Sequence, residues 1–197
     1  MFLEEKKMFN AKTIKNFLSD EESQKILNFA TSIDKWESGG SEFWDNRSLN
    51  AISIYDKYDK EVGTLLYEIK ERVKIAIQSL YGLNEVYPDL VQVIRWFPGM
   101  EQPPHADDMT DHDDPELEWF KHREYGAIIY LNDNYEGGET YYPQHETSIK
   151  PEAGKLAIHP GTPDHMHGVT EIKNSIRYTI ASFWTTDKEY ADDWTIY

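Results

Sequence analysis

Two short motifs in the sequence pair a histidine with a second side chain that can bind a metal ion. His105 and Asp107 stand two residues apart, so in an extended segment the imidazole and the carboxylate leave the chain on the same face. His165 and His167 place two imidazoles in the same relation. A third motif of this form begins at His112, but it lies within a run of acids and is typical of a solvated loop.

The order of these motifs along the chain separates two kinds of metal site. A cupin site has two histidines followed by a glutamate, and Glu171 does lie four residues after His167. A cupin, however, takes its last histidine from a later strand, and no histidine follows His167. The opposite order, with H-x-D early and one histidine late, is the two-histidine, one-carboxylate triad of non-haem Fe(II) oxygenases, which leaves one face of the ion open.

Arg177 raises a separate question, because it lies inside a segment with the composition of a buried strand. A guanidinium stays charged in a protein at neutral pH and is costly to bury without an anionic partner. We therefore expect a negatively charged group beside Arg177.

The overall composition limits the classes of function. With 20 Lys and Arg against 36 Asp and Glu, the net charge is −16, which would repel a phosphate backbone and argues against nucleic acid as a partner. The chain has no cysteine, so a metal site must use His, Asp or Glu. The first residues lack the pattern of a signal peptide, and no apolar run approaches the roughly 20 residues of a membrane span, so we expect a cytoplasmic protein that does not enter the membrane.

Two helices and a series of short strands are predicted. Ser19 and Glu22 form a capping box at the start of a helix from about residue 20, and an apolar stripe over 62–80 predicts a second helix that ends at Gly82. Both helices are interpreted as scaffold. Apolar and β-branched runs predict strands at 49–55, 90–97, 125–133, 139–143, 147–151, 155–160 and 175–184.

These elements predict one domain of mainly β structure with flanking helices, arranged as a sandwich or jelly roll. Residues 1–88 would form a support layer of helices and strand, 89–186 the core and 187–197 a C-terminal tail. The long irregular segment 108–123 is a candidate lid. Its adjacent aromatic residues Trp119 and Phe120 are expected to anchor it to the core, with closure over a ligand as the alternative.

Residues 89–186 resemble the Fe(II)- and 2-oxoglutarate-dependent dioxygenases, most closely the prolyl 4-hydroxylase branch. The segment QVIRWFPGMEQPPHAD is similar to the strand, glycine turn and H-x-D of that family, and YLNDNYEGGETYYP is similar to its strand and Gly-Gly-Glu-Thr hairpin. AGKLAIHPG resembles the strand that enters the segment of the last histidine, and HGVTEIKNSIR resembles that segment itself. The resemblance implies a double-stranded β-helix.

The resemblance also implies a metal site and an anchor for the cosubstrate. It identifies His105, Asp107 and His167 as the iron ligands. In the family, a Lys or Arg ten residues after the last histidine pairs with the far carboxylate of 2-oxoglutarate, and Arg177 stands at that distance from His167. His165 is twelve residues away and fits less well, so it is assigned to the rim of the site or to the support of a ligand.

Four further residues correspond to positions near the cosubstrate or the substrate. Thr140 matches a residue that hydrogen-bonds the same carboxylate. Where prolyl hydroxylases have a tyrosine that reaches the cosubstrate, this chain has Trp96, which would either donate one hydrogen bond or only line the pocket while Tyr130 makes the contact. Arg123 matches an arginine that faces the substrate, and an exposed position at the end of the lid is the equal alternative.

The implied function is hydroxylation of a C–H bond with Fe(II), 2-oxoglutarate and O2, with ascorbate as an optional addition. A prolyl residue of a protein or peptide is the first choice of substrate on resemblance alone. A free amino acid or another small metabolite remains the alternative. A nucleic-acid demethylase is disfavoured by the charge, and a jelly-roll binding module without catalysis remains the third class. The sequence predicts no particular oligomeric state.

Overall fold

The computed structural model describes residues 8–37, 42–109, 115–192 and 194–196, which form two antiparallel sheets flanked by helices. The helices are α1 (Asp20–Ser32), α2 (Ala51–Ser53, continued by the π-helical turn Ile54–Tyr58) and α3 (Lys60–Tyr81). The strands are β1 Lys12–Ile14, β2 Ser48–Asn50, β3 Tyr87–Trp96, β4 Gln102–His105, β5 Tyr125–Tyr130, β6 Glu136–Gly137, β7 Thr140–Tyr142, β8 Thr147–Ile149, β9 Leu156–Pro160, β10 His167–Val169, β11 Ile172–Lys173 and β12 Arg177–Thr185. Short 3-10 turns cover Pro115–His122, Pro143–His145, Pro163–His165 and Lys188–Tyr190.

The larger sheet has six strands in the order β1-β9-β5-β12-β3-β2. One face of this sheet packs on α1 and α3, and together they enclose the main apolar core. The predicted start of the first helix and the predicted end of the second helix are both confirmed. The Ser19 hydroxyl accepts from Glu22 N at 3.2 Å while the Glu22 carboxylate accepts from Ser19 N at 2.9 Å, and α3 ends at Gly82 with φ 69°.

The smaller sheet has four strands in the order β4-β10-β7-β8, and β11 pairs with β6 in a separate ribbon. Residues of β4 and β10 line a cavity together with residues of β3, β5, β9 and β12, so the cavity lies between the two sheets. This is the predicted mainly β jelly roll with flanking helices, and the prediction of the fold is confirmed. None of the helices in the described residues combines the length and apolar character needed to cross a membrane.

The prediction of a strand over 49–55 was wrong beyond Asn50. The Asn50 side-chain oxygen accepts from Ile52 N at 2.8 Å, and the chain turns into α2 and the π-helical turn. Ala51 and Ile54 are fully buried, and their spacing of three residues suits a helix. The apolar run therefore packs correctly into the core, but with a helical period and a polar cap that breaks the strand.

The first 88 residues do more than cover the sheet, because β1 and β2 form its two edges. The division at 88 and 186 stays a prediction. Within the candidate lid, residues 110–114, including His112, lie outside the described residues. Phe120 is half-buried, but Trp119 is 65% exposed and contacts only the rings of His122 and Tyr190 among the described aromatic residues. The expectation that Trp119 anchors the segment to the core was therefore wrong.

Candidate active site

The cluster of His105, Asp107 and His167 lies in the cavity between the sheets. His105 at the end of β4 stands directly opposite His167 at the start of β10 in the strand register, and Asp107 follows β4 by two residues. The Asp107 Oδ1 atom lies 3.6 Å from His167 Nε2 and 3.9 Å from His105 Nε2. One ligand atom from each of the three residues lies within 4.8 Å of the others, so together they can hold a metal ion.

Hydrogen bonds to the backbone set both imidazoles for metal binding. His105 Nδ1 lies 3.1 Å from the carbonyl oxygen of Pro103, and His167 Nδ1 lies 3.2 Å from the carbonyl oxygen of His165. A carbonyl only accepts, so each Nδ1 carries the hydrogen and each Nε2 keeps its lone pair toward the other ligands. Burial lowers the pKa of His167 well below its usual value, and the neighbouring His159 adds to this effect, so its imidazole stays neutral.

Asp107 supplies the negative charge of the cluster. Burial would raise its pKa, but the adjacent His167, His159 and His105 together hold the pKa well below the usual range of a carboxyl group. Two imidazoles and one carboxylate form the donor set expected for a non-haem ferrous ion. The residues present therefore fit the metal that the sequence predicted.

His159 is a residue of this site that the sequence did not single out. It occurs in the predicted strand 155–160, where it received no role. Its Nε2 atom lies 3.1 Å from Asp107 Oδ2, whereas Oδ1 is the carboxylate oxygen near His105 and His167. The His159 ring also packs against the His167 ring, with ring centres 4.0 Å apart. A Cβ atom on Gly126 would collide with both Asp107 Oδ2 and His159 Nε2, so this contact requires a glycine on the neighbouring strand β5.

Arg177 lies at the other end of the same cavity. It begins β12 opposite Trp96 on β3, and only 2% of its surface is exposed. Its guanidinium carbon lies 5.3 Å from the ring centre of Tyr130 and 5.5 Å from that of Trp96. The buried Nε of Arg177 and Nε1 of Trp96 have no hydrogen-bond partner in the described residues. Two buried donors without acceptors, one of them cationic, form a fitting site for an anionic ligand.

Thr140 and Tyr130 lie beside this cationic end. Their side-chain oxygens are 2.7 Å apart, and both residues are fully buried. Burial raises the pKa of Tyr130, although Arg177 opposes the shift, so the phenol keeps its proton. Gly138 has φ 65°, and a Cβ atom there would lie 2.9 Å from Arg177 Cδ, so the Gly-Gly hairpin lets the arginine pack against it.

Arg47 is a second buried cation near this end, and the sequence analysis missed it. Its guanidinium carbon lies 4.1 Å from the ring centre of Trp96, and its Nε and Nη1 atoms donate to the carbonyl oxygens of Arg95 and Phe43 at 3.2 and 2.7 Å. Burial, and then the repulsion of Arg177, lower its pKa to about 10, so it remains charged at neutral pH. Arg47 directly precedes β2 in the chain, and no pattern in the sequence singled it out.

Arg123 and His165 lie outside the cluster of ligands. Arg123 lines an outer cavity that shares His105 and Asp107 with the inner one, but its Nε donates to Asp89 at 2.7 Å and its guanidinium packs on the rings of Phe120 and Phe183. The His165 side chain accepts from Asn10 N at 3.0 Å, and only its backbone carbonyl supports a ligand. The roles of both residues in binding stay predictions.

Comparison with known proteins adds a family and a group of relatives. The model of the 2OG-Fe(II) oxygenase superfamily matches residues 91–185. Prolyl 3-hydroxylase 2 of Rattus norvegicus is 25% identical over 211 residues, covering 90% of this chain and 30% of that protein. Prolyl 3-hydroxylase 1 of Homo sapiens is 22% identical over 207 residues, covering 89% of this chain and 28% of that protein. The chain thus spans about a third of the length of these curated relatives.

Solved structures share the fold over almost the whole chain. A viral collagen prolyl hydroxylase from Paramecium Bursaria Chlorella virus-1, in complex with 2OG, has a TM-score of 0.65 at 19% identity and covers 91% of this chain and 97% of its own. A prolyl hydroxylase from Trichoplax adhaerens, in complex with a peptide of the hypoxia inducible factor oxygen degradation domain, has a TM-score of 0.68 at 18% identity and covers 95% and 89%. At these identities the likeness is one of fold.

Proposed function

We propose that this chain, whose residues 91–185 match the model of the 2OG-Fe(II) oxygenase superfamily, uses Fe(II), 2-oxoglutarate and O2 to hydroxylate a prolyl residue of a protein or peptide. One observation carries this proposal. The metal-binding cluster of His105, Asp107 and His167 shares one cavity between the sheets with the buried Arg177, whose Nε atom has no partner among the described residues. A keto diacid has groups for both ends, because its keto acid can bind a metal ion while its far carboxylate pairs with a guanidinium.

One group of residues would bind the metal ion, and a second group would bind 2-oxoglutarate. When bound, iron together with 2-oxoglutarate and O2 supplies the oxidation of a C–H bond to an alcohol, coupled to the conversion of 2-oxoglutarate into succinate and carbon dioxide. His105, Asp107 and His167 would hold the ion on one face. Arg177 and Thr140 would bind the far carboxylate of 2-oxoglutarate, since Arg177 lines the same cavity and the Thr140 hydroxyl lies 2.7 Å from that of Tyr130, whose ring is next to the guanidinium.

Trp96 takes the place of a tyrosine in this pocket. An indole can donate a hydrogen bond but cannot accept one. Its Nε1 is buried and has no acceptor among the described residues, which supports a hydrogen bond from Trp96 to the bound diacid rather than a role as a wall alone. Ile94 and Val169 pack against Trp96 and would keep water from the cosubstrate.

The outer cavity supports a prolyl substrate. It opens from His105 and Asp107, and its walls include the aromatic rings of Trp44, Phe120 and Phe183. Aromatic faces suit the apolar pyrrolidine ring of a prolyl residue. The relatives are prolyl hydroxylases by name, which favours the same substrate class here.

The test is whether the protein couples the conversion of 2-oxoglutarate into succinate to hydroxylation of a peptide. Purified protein with Fe(II), 2-oxoglutarate and O2 should form succinate in proportion to the gain of one oxygen atom on a proline-containing peptide, measured by mass spectrometry, with and without ascorbate. The matched peptide with alanine in place of proline should give only background. Succinate formation driven instead by free proline would favour the small-metabolite alternative. Tight binding of the ion and 2-oxoglutarate without turnover on any substrate would contradict a catalytic role.

A further inference from the structure

A chain of three buried side chains runs from Tyr142 on β7 through His159 on β9 to Asp107. The Tyr142 hydroxyl lies 2.8 Å from His159 Nδ1, and His159 Nε2 lies 3.1 Å from Asp107 Oδ2. The three residues are 0%, 1% and 4% exposed. Because they come from separate elements, the contacts exist only when β7, β9 and the segment after β4 are correctly assembled.

The hydrogen bonds of this chain have a defined direction. An ionised carboxylate only accepts, so His159 Nε2 must carry the hydrogen that points to Asp107. With that hydrogen on Nε2, Nδ1 is left to accept, and Tyr142 is the donor. Burial raises the pKa of Tyr142 well above its usual value, and the neighbouring Tyr130 and Asp107 add to this effect, so its hydroxyl keeps the proton that it donates.

The backbone near β9 supports the same contact. His159 stands opposite Gly126 in the strand register, where the missing side chain leaves room for the imidazole and the carboxylate to meet. The segment after β4 is also tied to β9 by a hydrogen bond from Asp108 N to Gly161 O of 3.1 Å. A Cβ atom on Gly161 would lie 3.2 Å from Asp107 Cβ, so the two segments approach closely beside the carboxylate.

We propose that His159, held by Tyr142, is a positioning residue that occupies Asp107 Oδ2 and leaves Oδ1 alone to bind the metal ion. Binding through one carboxylate oxygen matters because it determines how many positions on the metal ion stay open. An octahedral ion with three protein atoms has three positions left, two for a chelating keto acid and one for dioxygen. A carboxylate bound through both oxygens would fill one of them. This inference rests on the proposed function in one respect, that Asp107 binds the ion.

The alternative role for His159 is that of a fourth ligand. Among the described residues, however, the group of metal-binding side chains that converge within 4.8 Å consists of His105, Asp107 and His167 only. The His159 Nε2 atom faces the opposite oxygen of the carboxylate from the one that lies near the two histidine ligands.

The first experiment measures metal affinity by titrating the metal-free protein with Co(II) and recording its visible absorption. His159→Phe keeps a planar ring but removes the donor, and we expect Co(II) to bind about 10- to 100-fold more weakly, as is typical when a hydrogen-bond partner of a metal ligand is lost. His159→Gln, whose amide can still donate, should recover part of this loss. Tyr142→Phe should weaken Co(II) binding by only about threefold, because the imidazole remains in place.

Two control variants remove similar groups elsewhere. His122→Phe deletes a buried imidazole that stacks on Tyr190, and Tyr178→Phe deletes a buried phenol that packs against Trp36. Neither should change Co(II) affinity. Urea unfolding of every metal-free variant separates a loss of metal affinity from a loss of folded protein.

The second experiment determines which nitrogen of the His159 imidazole carries the hydrogen. Nitrogen-15 NMR of the metal-free protein should show His159 as the neutral tautomer with its hydrogen on Nε2, and Tyr142→Phe should reduce the population of that tautomer. The opposite tautomer in the wild-type protein would overturn the inference. So would unchanged Co(II) affinity in a folded His159→Phe protein, or X-ray absorption that counts one histidine fewer around Co(II) in this variant than in the wild type.

These outcomes separate the inference from the proposed function. A wild-type protein that binds Co(II) and 2-oxoglutarate but hydroxylates no peptide would end the proposal of prolyl hydroxylation and leave the role of His159 intact. A wild-type protein that binds no Co(II) would overturn both.

Discussion

The two ends of the cavity differ in how far the protein satisfies its own polar groups. At the metal end, the second polar atom of each ligand is bound. The Nδ1 atoms of His105 and His167 donate to backbone carbonyls, and the outer oxygen of Asp107 accepts from His159. At the other end, Arg177 and Trp96 each keep a buried donor without a partner in the described residues. The metal end is thus preorganised by the chain, and the other end is left for a ligand to complete.

The charges of the two ends differ in the same way. The metal end carries one carboxylate among imidazoles and favours a cation. The other end carries the guanidiniums of Arg177 and Arg47 on the indole of Trp96, and favours an anion. Because a buried cation without a partner is costly, binding of a diacid at this end should stabilise the protein more than its contact area alone would suggest.

The largest effect should follow from removal of the carboxylate that belongs to the metal-binding cluster. For Asp107→Ala we expect Co(II) affinity to fall by more than ~100-fold, because even the loss of a hydrogen-bond partner of a ligand costs about 10- to 100-fold. Succinate formation should fall to background. Glu171→Ala is the matched control, because Glu171 is the exposed acid that a cupin site would have used. Equal losses in the two variants would contradict the assignment of the ligands.

The next largest effect should come from Arg177, whose removal should weaken the binding of 2-oxoglutarate without weakening the binding of the metal ion. For Arg177→Ala we expect the dissociation constant of 2-oxoglutarate to rise about 100-fold, or ~3 kcal/mol, as is typical for loss of one partner of a buried charged pair. Co(II) affinity should stay within about twofold, because the arginine contacts none of the three ligands. Isothermal titration measures both constants. Arg72→Ala, which removes an arginine that pairs with Glu22 on the helical layer, should change neither. Parallel loss of both affinities would indicate misfolding.

The sequence predicted those parts of the molecule that depend on local patterns. The capping box at Ser19, the end of α3 at Gly82 and the spacing of His105 and Asp107 are all readable over a few residues, and the structure has each of them. Arg177 was singled out because a buried charge is costly without an anionic partner, and this argument needs no knowledge of the fold.

The sequence could not predict features that arise from tertiary contacts. His159 acquires its role only because β5 places Gly126 opposite it and the segment after β4 brings Asp107 alongside. Arg123 had two equal interpretations, a residue that faces the substrate or an exposed end of the lid, and neither included the ion pair that its buried side chain forms with Asp89, 34 residues earlier in the chain. The error at 49–55 has a local cause, since the cap formed by Asn50 overrode the strand preference of the two isoleucines that follow it.

A smaller effect should come from the hydroxyl pair beside the cationic end. For Thr140→Val we expect the dissociation constant of 2-oxoglutarate to rise about fivefold, or ~1 kcal/mol, because one hydrogen bond to the ligand is lost. Tyr130→Phe should have less effect, since the hydroxyl of Tyr130 bonds that of Thr140. The double variant decides between the two contacts. If its loss equals the sum of the single losses, Tyr130 also contacts the diacid directly.

The smallest effect should come from Arg47, which faces Trp96 and is absent from the walls of the inner cavity. Arg47→Met keeps a long side chain against the surrounding rings but removes the charge. We expect 2-oxoglutarate to bind about threefold more weakly, or ~0.7 kcal/mol, because Arg47 would act on the diacid only through its field. A loss as large as that of Arg177→Ala would mean that both arginines contact the ligand.

The pH dependence gives a separate check on Arg47. Burial and Arg177 lower the pKa of Arg47 to about 10, so the side chain is cationic at neutral pH and loses its charge as the pH rises through about 10. The charged form attracts the diacid, so the advantage of the wild type over Arg47→Met should be complete at neutral pH and should shrink toward none above about pH 10. The ratio of the two dissociation constants at each pH isolates this residue, because other groups titrate in both proteins. A ratio that stays constant across this range would show that Arg47 acts by packing against Trp96 and not by its charge.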